Sequence, residues 1–430
     1  MYPARALLRW GLNPRARQVV ERQLQSFSSA VEVGRARDFH RSLPGYFPTP
    51  LVELRSLALE LGLNSIMVKD ESERFGLQAF KVLGASYAVS RALSERFGHP
   101  DESLPFTELR HKIVQQWPNL RLATATDGNH GRALAWVARQ LGVPATVYLP
   151  AGSTAIRVER IQQEGAQTEI IAGNYDEAVR RACKQAHNEG WLLVQDTGWP
   201  GYEDIPRWIM QGYTTLIDEA YEQSKSFGKG FTHVCLQAGV GSFAGAVQGC
   251  LYGITGAKRP VNIVLEPFAA DCLLRSSSAT DGKPRENKGS LRTIMAGLAC
   301  GRPNPMAWEV LRDLTDCFVA CDDSLAALGM RVLGNPALGD QPVVSGESGA
   351  IGIGFLYTIM KDPAYEELRR HLNLGPAARV LTVSTEGNTD PAVYRSVVWD
   401  GLWPRATVAE TKLPSICGVE SSECEQQLPV

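Results

Sequence analysis

The chain has 430 residues, a formal net charge of -2, and 44% hydrophobic against 21% charged residues. That length exceeds one ordinary core, so two domains or one large α/β unit are expected. The near-neutral charge gives no electrostatic basis for binding nucleic acid or an anionic membrane, and no apolar run reaches the roughly 20 residues of a membrane span. The nine cysteines are scattered and odd in number, with no CxxC, which disfavours a disulfide framework or a zinc site and makes a reducing cytoplasm the default compartment.

Residues 1–30 carry Arg5, Arg9, Arg15, Arg17 and Arg22 against Glu21 alone. We read this stretch as a surface segment or docking helix, with a mitochondrial address as the alternative that its composition also fits. In LPGYFPTPL (43–51) the prolines forbid helix, so an extended segment leads into the first folded unit. LVELRSLALELGL then reads as helical and SIMVKD as a buried strand. After Lys81 a helix follows (GASYAVSRALSERFG), then a polar connection around HPDESLPF. From Arg121 strands and helices alternate. RLATAT, ATVYLP, QTEIIAG and WLLVQD read as strands, separated by GNHGRALAWVARQLG, STAIRVERIQQEG and YDEAVRRACKQAHNEG as helices. Short apolar strands joined by helices make a parallel sheet the economical arrangement. A long amphipathic helix (IPRWIMQGYTTLIDEAYEQS) opens a second series. Its strands are THVCLQAG, VNIVLEP, CFVACDD and RVLTVST, and its helices AGAVQGCLYG, the ALGM segment and GAIGIGFLYTIMK. Residues 276–290 read as a polar surface loop, and the tail from about 404 as poorly ordered.

Several turns carry chemistry. Lys81 follows Phe80 between apolar residues. A lysine there is ordinarily a solvated helix residue, but an apolar setting also lowers the amine's pKa toward the neutral form that condenses with an aldehyde. AGVGSFAG (238–245) lies between an apolar strand and an apolar helix, either as a tight turn or as an anion cradle of Ala238, Gly239, Val240, Gly241 and Ser242. Without a Walker lysine or GxGxxG spacing, a nucleotide triphosphate is disfavoured. ATDGNHG (125–131) also joins strand to helix. Asp127 is placed to cap, and Asn129 either supports the turn or bonds a cofactor hydroxyl. Asp196 ends a strand in VQDTGWPGYEDIP, where ligands bind in open α/β sheets, although aspartates also cap turns there. Glu347 lies in SGESGA, and Ser384 and Thr385 follow the strand RVLTV.

In this order, AFK, DGNHG, the glycine loop, SGESGA and STEGN resemble the fold-type II pyridoxal-phosphate enzymes, over about residues 40–400. The stretches GYFPTPL, VKDESERFGLQAFKVLGASYA, ATDGNHGR, VQDTGWPGYEDIPRWIMQGY, GLACGRPNP, SGESGAIG and STEGNTDP resemble the diaminopropionate ammonia-lyases within them. Asp127 stands where dehydratases usually carry serine. The resemblance implies an α/β, tryptophan synthase β-like fold with two open, twisted, mostly parallel sheets flanked by helices. It implies a large cofactor domain (40–86 and 191–403), a small α/β domain (87–190), an N-terminal segment (1–39), a tail (404–430) and a homodimer. For the site it implies that Lys81 holds pyridoxal 5'-phosphate as a Schiff base beside Phe80. Asn129 would meet the ring hydroxyl, Ala238 to Ser242 the phosphate, and Ser384 or Thr385 the ring nitrogen, with Glu347 behind these contacts. Asp196 and Asp127 would be the acid–base groups for L and D substrate. Cys272 and Cys300 are expected near one another by the site entrance, as thiols or as a disulfide. The reaction implied is elimination of ammonia from 2,3-diaminopropionate, giving pyruvate and two ammonia. Serine/threonine dehydration, β-replacement and a non-catalytic cofactor-binding protein are the alternatives.

Overall fold

The computed structural model describes residues 7–16, 29–126, 128–228 and 230–404. Their strands are β1 (Leu8–Leu12), β2 (Leu51–Glu53), β3 (Ser65–Asp70), β4 (Leu122–Ala125), β5 (Ala145–Pro150), β6 (Gln167–Ile171), β7 (Leu192–Leu193), β8 (His233–Gln237), β9 (Val261–Pro267), β10 (Cys317–Cys321) and β11 (Arg379–Ser384). They form two sheets. The larger has the order β1-β10-β9-β8-β11-β3-β2, and the smaller β6-β5-β4-β7. The smaller sheet is parallel throughout, and the larger is parallel except for antiparallel edges at β1 and β2. Strands β3, β8 and β10 are buried at every position, as strands covered on both faces must be. This is why each carries an apolar stretch in the sequence: IMV, VCL and CFVAC.

Three elements depart from expectation. Leu8–Leu12 is an edge strand paired to β10, with Arg9 reaching the Asp271 carboxylate, and not a docking helix. Leu51–Glu53, expected to begin a helix, pairs with β3, and the helix runs only over Arg55–Glu60. Phe106–Gln116 is a helix with Phe106, Leu109 and Ile113 buried, in the stretch between the polar connection HPDESLPF and Arg121 where no element was expected. The smaller sheet also extends past residue 190, because β7 pairs with β4. The tail expected to be poorly ordered, from about 404, lies outside the described residues beyond residue 404.

Helices Lys81–Arg96 and Asp204–Ser224 cross at a pair of glycines. A Cβ on Gly84 would lie 2.5 Å from the Tyr213 ring, and one on Gly212 2.4 Å from the Leu83 carbonyl oxygen. Only glycine allows that approach, which fixes the start of the first helix, at Lys81, against the second.

Beneath this crossing lies a buried polar network. Lys69 Nζ donates to Glu219 Oε2 (2.7 Å) and the Thr49 carbonyl (2.7 Å). Arg74 donates to both oxygens of Glu219 (2.9 and 2.8 Å) and both of Glu71 (2.8 Å each). Tyr46 Oη and the Thr49 amide also donate to Glu219. The network ties the proline-rich segment to the turn that precedes Lys81. Burial pushes the Glu219 carboxyl upward, but Arg74 and Lys69 outweigh it and hold it below its ordinary range. The carboxylate's contribution is therefore present at neutral pH and is lost as pH falls through the folded-state pKa. Glu219→Gln keeps the shape and removes the charge that offsets two buried cations. We expect a loss of about 3–5 kcal/mol of unfolding free energy, measured as a fall in the urea midpoint.

Candidate active site

The site is built at the carboxyl ends of strands, where backbone polar groups are no longer used by a ladder. β11 lies between β8 and β3, and all three run parallel. Where β11 ends, Ala79 pairs with Glu386, the Phe80 amide donates to the Thr385 carbonyl (3.2 Å), and the Gly387 amide to the Gln78 carbonyl (2.9 Å). This short bridge sets the Lys81 helix start against the turn after β11. The Phe80 ring packs between Tyr213 and Phe243, with centroids 4.6 and 4.8 Å away.

Lys81 Nζ donates to Asp196 Oδ2 at 2.6 Å. The Asp196 side chain is 16% exposed. Burial works to raise its carboxyl, but the positive charge of Lys81, and then His130, outweigh it and hold the pKa down at about 2. Asp196 is thus a carboxylate while Lys81 is charged.

Asn129 Nδ2 donates to Glu386 Oε2 (2.7 Å), and the Ser348 amide donates to the other oxygen of Glu386 (3.2 Å). Glu386 was not anticipated, although it lies in the STEGN turn. An acidic residue between a hydroxyl pair and a glycine, directly after an apolar strand, was the available signal. Glu347 is close by. Burial, and then the negative charge of Glu386, push its carboxyl up to about 7. Gln237, also unanticipated, donates Nε2 to Thr385 Oγ1 and to the Val383 carbonyl, both at 2.8 Å. Thr385 accepts there, so its hydroxyl proton is available for another acceptor. Ser384 turns its own hydroxyl toward the Glu386 carbonyl (3.4 Å).

The glycine loop leaves β8 and enters helix Ser242–Thr255. The Ala238 amide still bonds the Leu265 carbonyl, so the amides left for an anion begin at Gly239. Gly241 has φ +96°, a left-handed conformation, and a Cβ there would also lie 2.8 Å from Leu311. No side chain caps the helix, whose first-turn N–H groups therefore form a ready anion site. Asn304, a further residue that sequence reading missed, braces the loop. Its Nδ2 donates to Ser242 Oγ (2.9 Å) and its amide to the Val240 carbonyl (2.8 Å). Cys272 Sγ lies 3.9 Å from the Gly239 carbonyl, and Cys300 Sγ would lie 3.0 Å from a Cβ on Gly239. The two cysteines therefore flank one loop residue, and both carry thiols, not a disulfide. Asp127 lies outside the described residues.

Together these features make an anion cradle, a lysine with a carboxylate partner, an amide–carboxylate pair and a hydroxyl with a donatable proton, all at strand ends. That set fits a phosphorylated pyridine aldehyde, and it defines the class as an α/β enzyme dependent on such a cofactor. The family model "Pyridoxal-phosphate dependent enzyme" matches residues 43–389. The diaminopropionate ammonia-lyase of Salmonella typhimurium is 50% identical over 366 residues, covering 84% of this chain and 91% of that protein. The crystal structure of holo diaminopropionate ammonia lyase from Escherichia coli superposes with a TM-score of 0.85 at 45% identity, covering 92% of this chain and 97% of that one. The structure of the same enzyme in complex with D-serine also gives 0.85. The chain belongs to the diaminopropionate ammonia-lyase family of pyridoxal-phosphate-dependent enzymes, and its fold is the tryptophan synthase β-like, fold-type II arrangement.

Proposed function

We propose that this chain is an ammonia-lyase that converts 2,3-diaminopropionate, L and D, with one water, into pyruvate and two ammonia. The observation that supports this most directly is the 2.6 Å contact between Lys81 and Asp196 at the strand ends, in a chain half identical to enzymes of that name. Lys81 would hold the cofactor's aldehyde. The amides from Gly239 to Ser242 would hold its phosphate and Thr385 its ring nitrogen, with Asn129 at the ring hydroxyl. When bound, the cofactor supplies the electron sink that stabilises charge at the substrate's α-carbon.

The chain's own residues supply the proton handling. Asp196 is held at about 2 while Lys81 is an ammonium. Where Lys81 does not place its charge beside Asp196, the largest influence holding the carboxyl down is gone and burial pushes it upward, toward a stronger base. Asp196 then takes the α-proton of the L substrate, and Asp127, on the proposed assignment, that of the D substrate. A β-amine leaves only as ammonia, so its proton must be kept or supplied. A carboxylate at position 127 holds a β-ammonium by a charge-assisted bond more strongly than the serine of dehydratases does. Thr385 would offer the ring nitrogen a neutral hydroxyl, not a carboxylic acid, and so a weaker electron sink that would suit loss of a β-group over transamination. We also propose that the chain acts as a homodimer in the cytoplasm, which sedimentation would return as twice the mass of one chain.

Pyruvate release from diaminopropionate, serine and threonine by the purified holoenzyme tests the assignment. We expect diaminopropionate to be turned over fastest. Faster turnover of serine would make the protein a dehydratase.

A further inference from the structure

Asp196 stands beyond the end of the sheet that carries it. The β7 ladder stops at Leu193, three residues before the carboxylate. A chain leaving a sheet this way has polar groups that water would otherwise take, and its position is then loose. Here side chains replace the ladder. Tyr202 Oη donates to the Leu193 carbonyl (2.9 Å) and accepts from the Gln195 amide (2.8 Å). The Val194 amide donates to the Ala123 carbonyl (2.8 Å), and His130 Nε2 bonds the Val194 carbonyl (2.8 Å). The fully buried side chain of Gln195 continues this pairing toward β4. Its Oε1 accepts from the Ala125 amide and the Thr124 hydroxyl, both at 3.0 Å, and its Nε2 donates to Tyr175 Oη at 2.7 Å. The Tyr202 ring is itself held, stacked on Trp199 at 4.3 Å and 11°.

We propose that Gln195 and Tyr202 are positioning residues: one phenol and one amide side chain clamp residues 193–195 and so hold Asp196 within reach of Lys81 and of a substrate proton. Gln195 ties β4 to the segment that ends at Asp196 and completes this brace. The inference rests on the role proposed for Asp196. Proton transfer tolerates little misplacement, so loosening the brace acts on turnover and not on substrate affinity.

Tyr202→Phe in the holoenzyme keeps the stack on Trp199 and removes both backbone bonds. Kinetics with each enantiomer and amide hydrogen exchange of the 192–198 segment read the result. We expect kcat to fall about tenfold on the enantiomer that Asp196→Asn impairs most, L on the proposed assignment, with KM and the other enantiomer within about twofold. Exchange in 192–198 should quicken about tenfold or more, with other segments unchanged. Unchanged exchange, an equal fall on both enantiomers, or no fall on either overturns the clamp. If Tyr202→Phe does not fold, Gln195→Met, which fills the same space without the amide bonds, is read by the same criteria. A wild-type holoenzyme that releases pyruvate from neither enantiomer overturns the function instead. The clamp is then judged on exchange alone, supported by quickening in 192–198 and refuted by its absence.

Discussion

Lys81→Ala lowers turnover of diaminopropionate by about 10⁴-fold or more, and borohydride no longer fixes the cofactor to the chain. The loss has two parts. Removing the amine removes the group proposed to hold the cofactor aldehyde. It also removes the positive charge that keeps the Asp196 carboxyl at about 2 against the push of burial. Without it, the buried Asp196 carboxylate has lost its lysine partner before substrate arrives, which lowers the stability of the fold. Lys81→Arg separates the two parts. A guanidinium does not condense with an aldehyde at neutral pH, yet it keeps a positive charge to pair with Asp196. Both variants should lose turnover and borohydride labelling, while the arginine variant keeps the melting temperature closer to wild type. Lys81→Ala retaining more than about a hundredth of wild-type turnover would remove Lys81 from the reaction.

What the sequence disclosed, and what it did not, follows from how each feature is encoded. Strands β8 to β11 were legible because a strand covered on both faces is built around consecutive apolar residues. β1 was not, because its five residues lie among arginines whose charges dominate the composition and whose pairing partner is some 300 residues away. β2 was hidden because three residues are too few to show a period. In the site, the glycine- and hydroxyl-bearing turns stood out because local backbone demands leave a local signature, as at Gly241. Partners set by tertiary packing leave none. Asn129 and Glu386 are 257 residues apart, and nothing near Asn129 announces the carboxylate that receives its amide. Lys69, an apparently ordinary charge in SIMVKD, is fully buried only because Glu219 comes to it from a distant helix. Asn304, Gln237 and Tyr202 hold backbone or hydroxyl groups that exist as needs only once the chain has folded.

Asp196→Asn should split the two enantiomers. On the proposed assignment, turnover of L-diaminopropionate falls about 10²- to 10⁴-fold and that of the D form less than tenfold, while Asp127→Asn gives the reverse. The α-hydrogens of the enantiomers point to opposite faces once the carboxylate and side chain are pinned, so one base cannot reach both. Asparagine has nearly the volume of aspartate and still accepts a bond from Lys81, so the fold and the Thr124–Gln195 brace beside it are retained. What disappears is a group able to take a proton. KM should therefore change little and kcat carry the loss, because the interaction removed is one made during proton transfer. The acid limb of the L-substrate profile gives a second reading. In the wild type it reflects a carboxyl freed from the pull of Lys81, and it should be absent from whatever L activity remains in Asp196→Asn. Equal losses on both enantiomers would mean that Asp196 acts through Lys81, which it touches at 2.6 Å, and not on the substrate. The stereochemical division between the two aspartates would then fall, while the cofactor-holding role of Lys81 would stand.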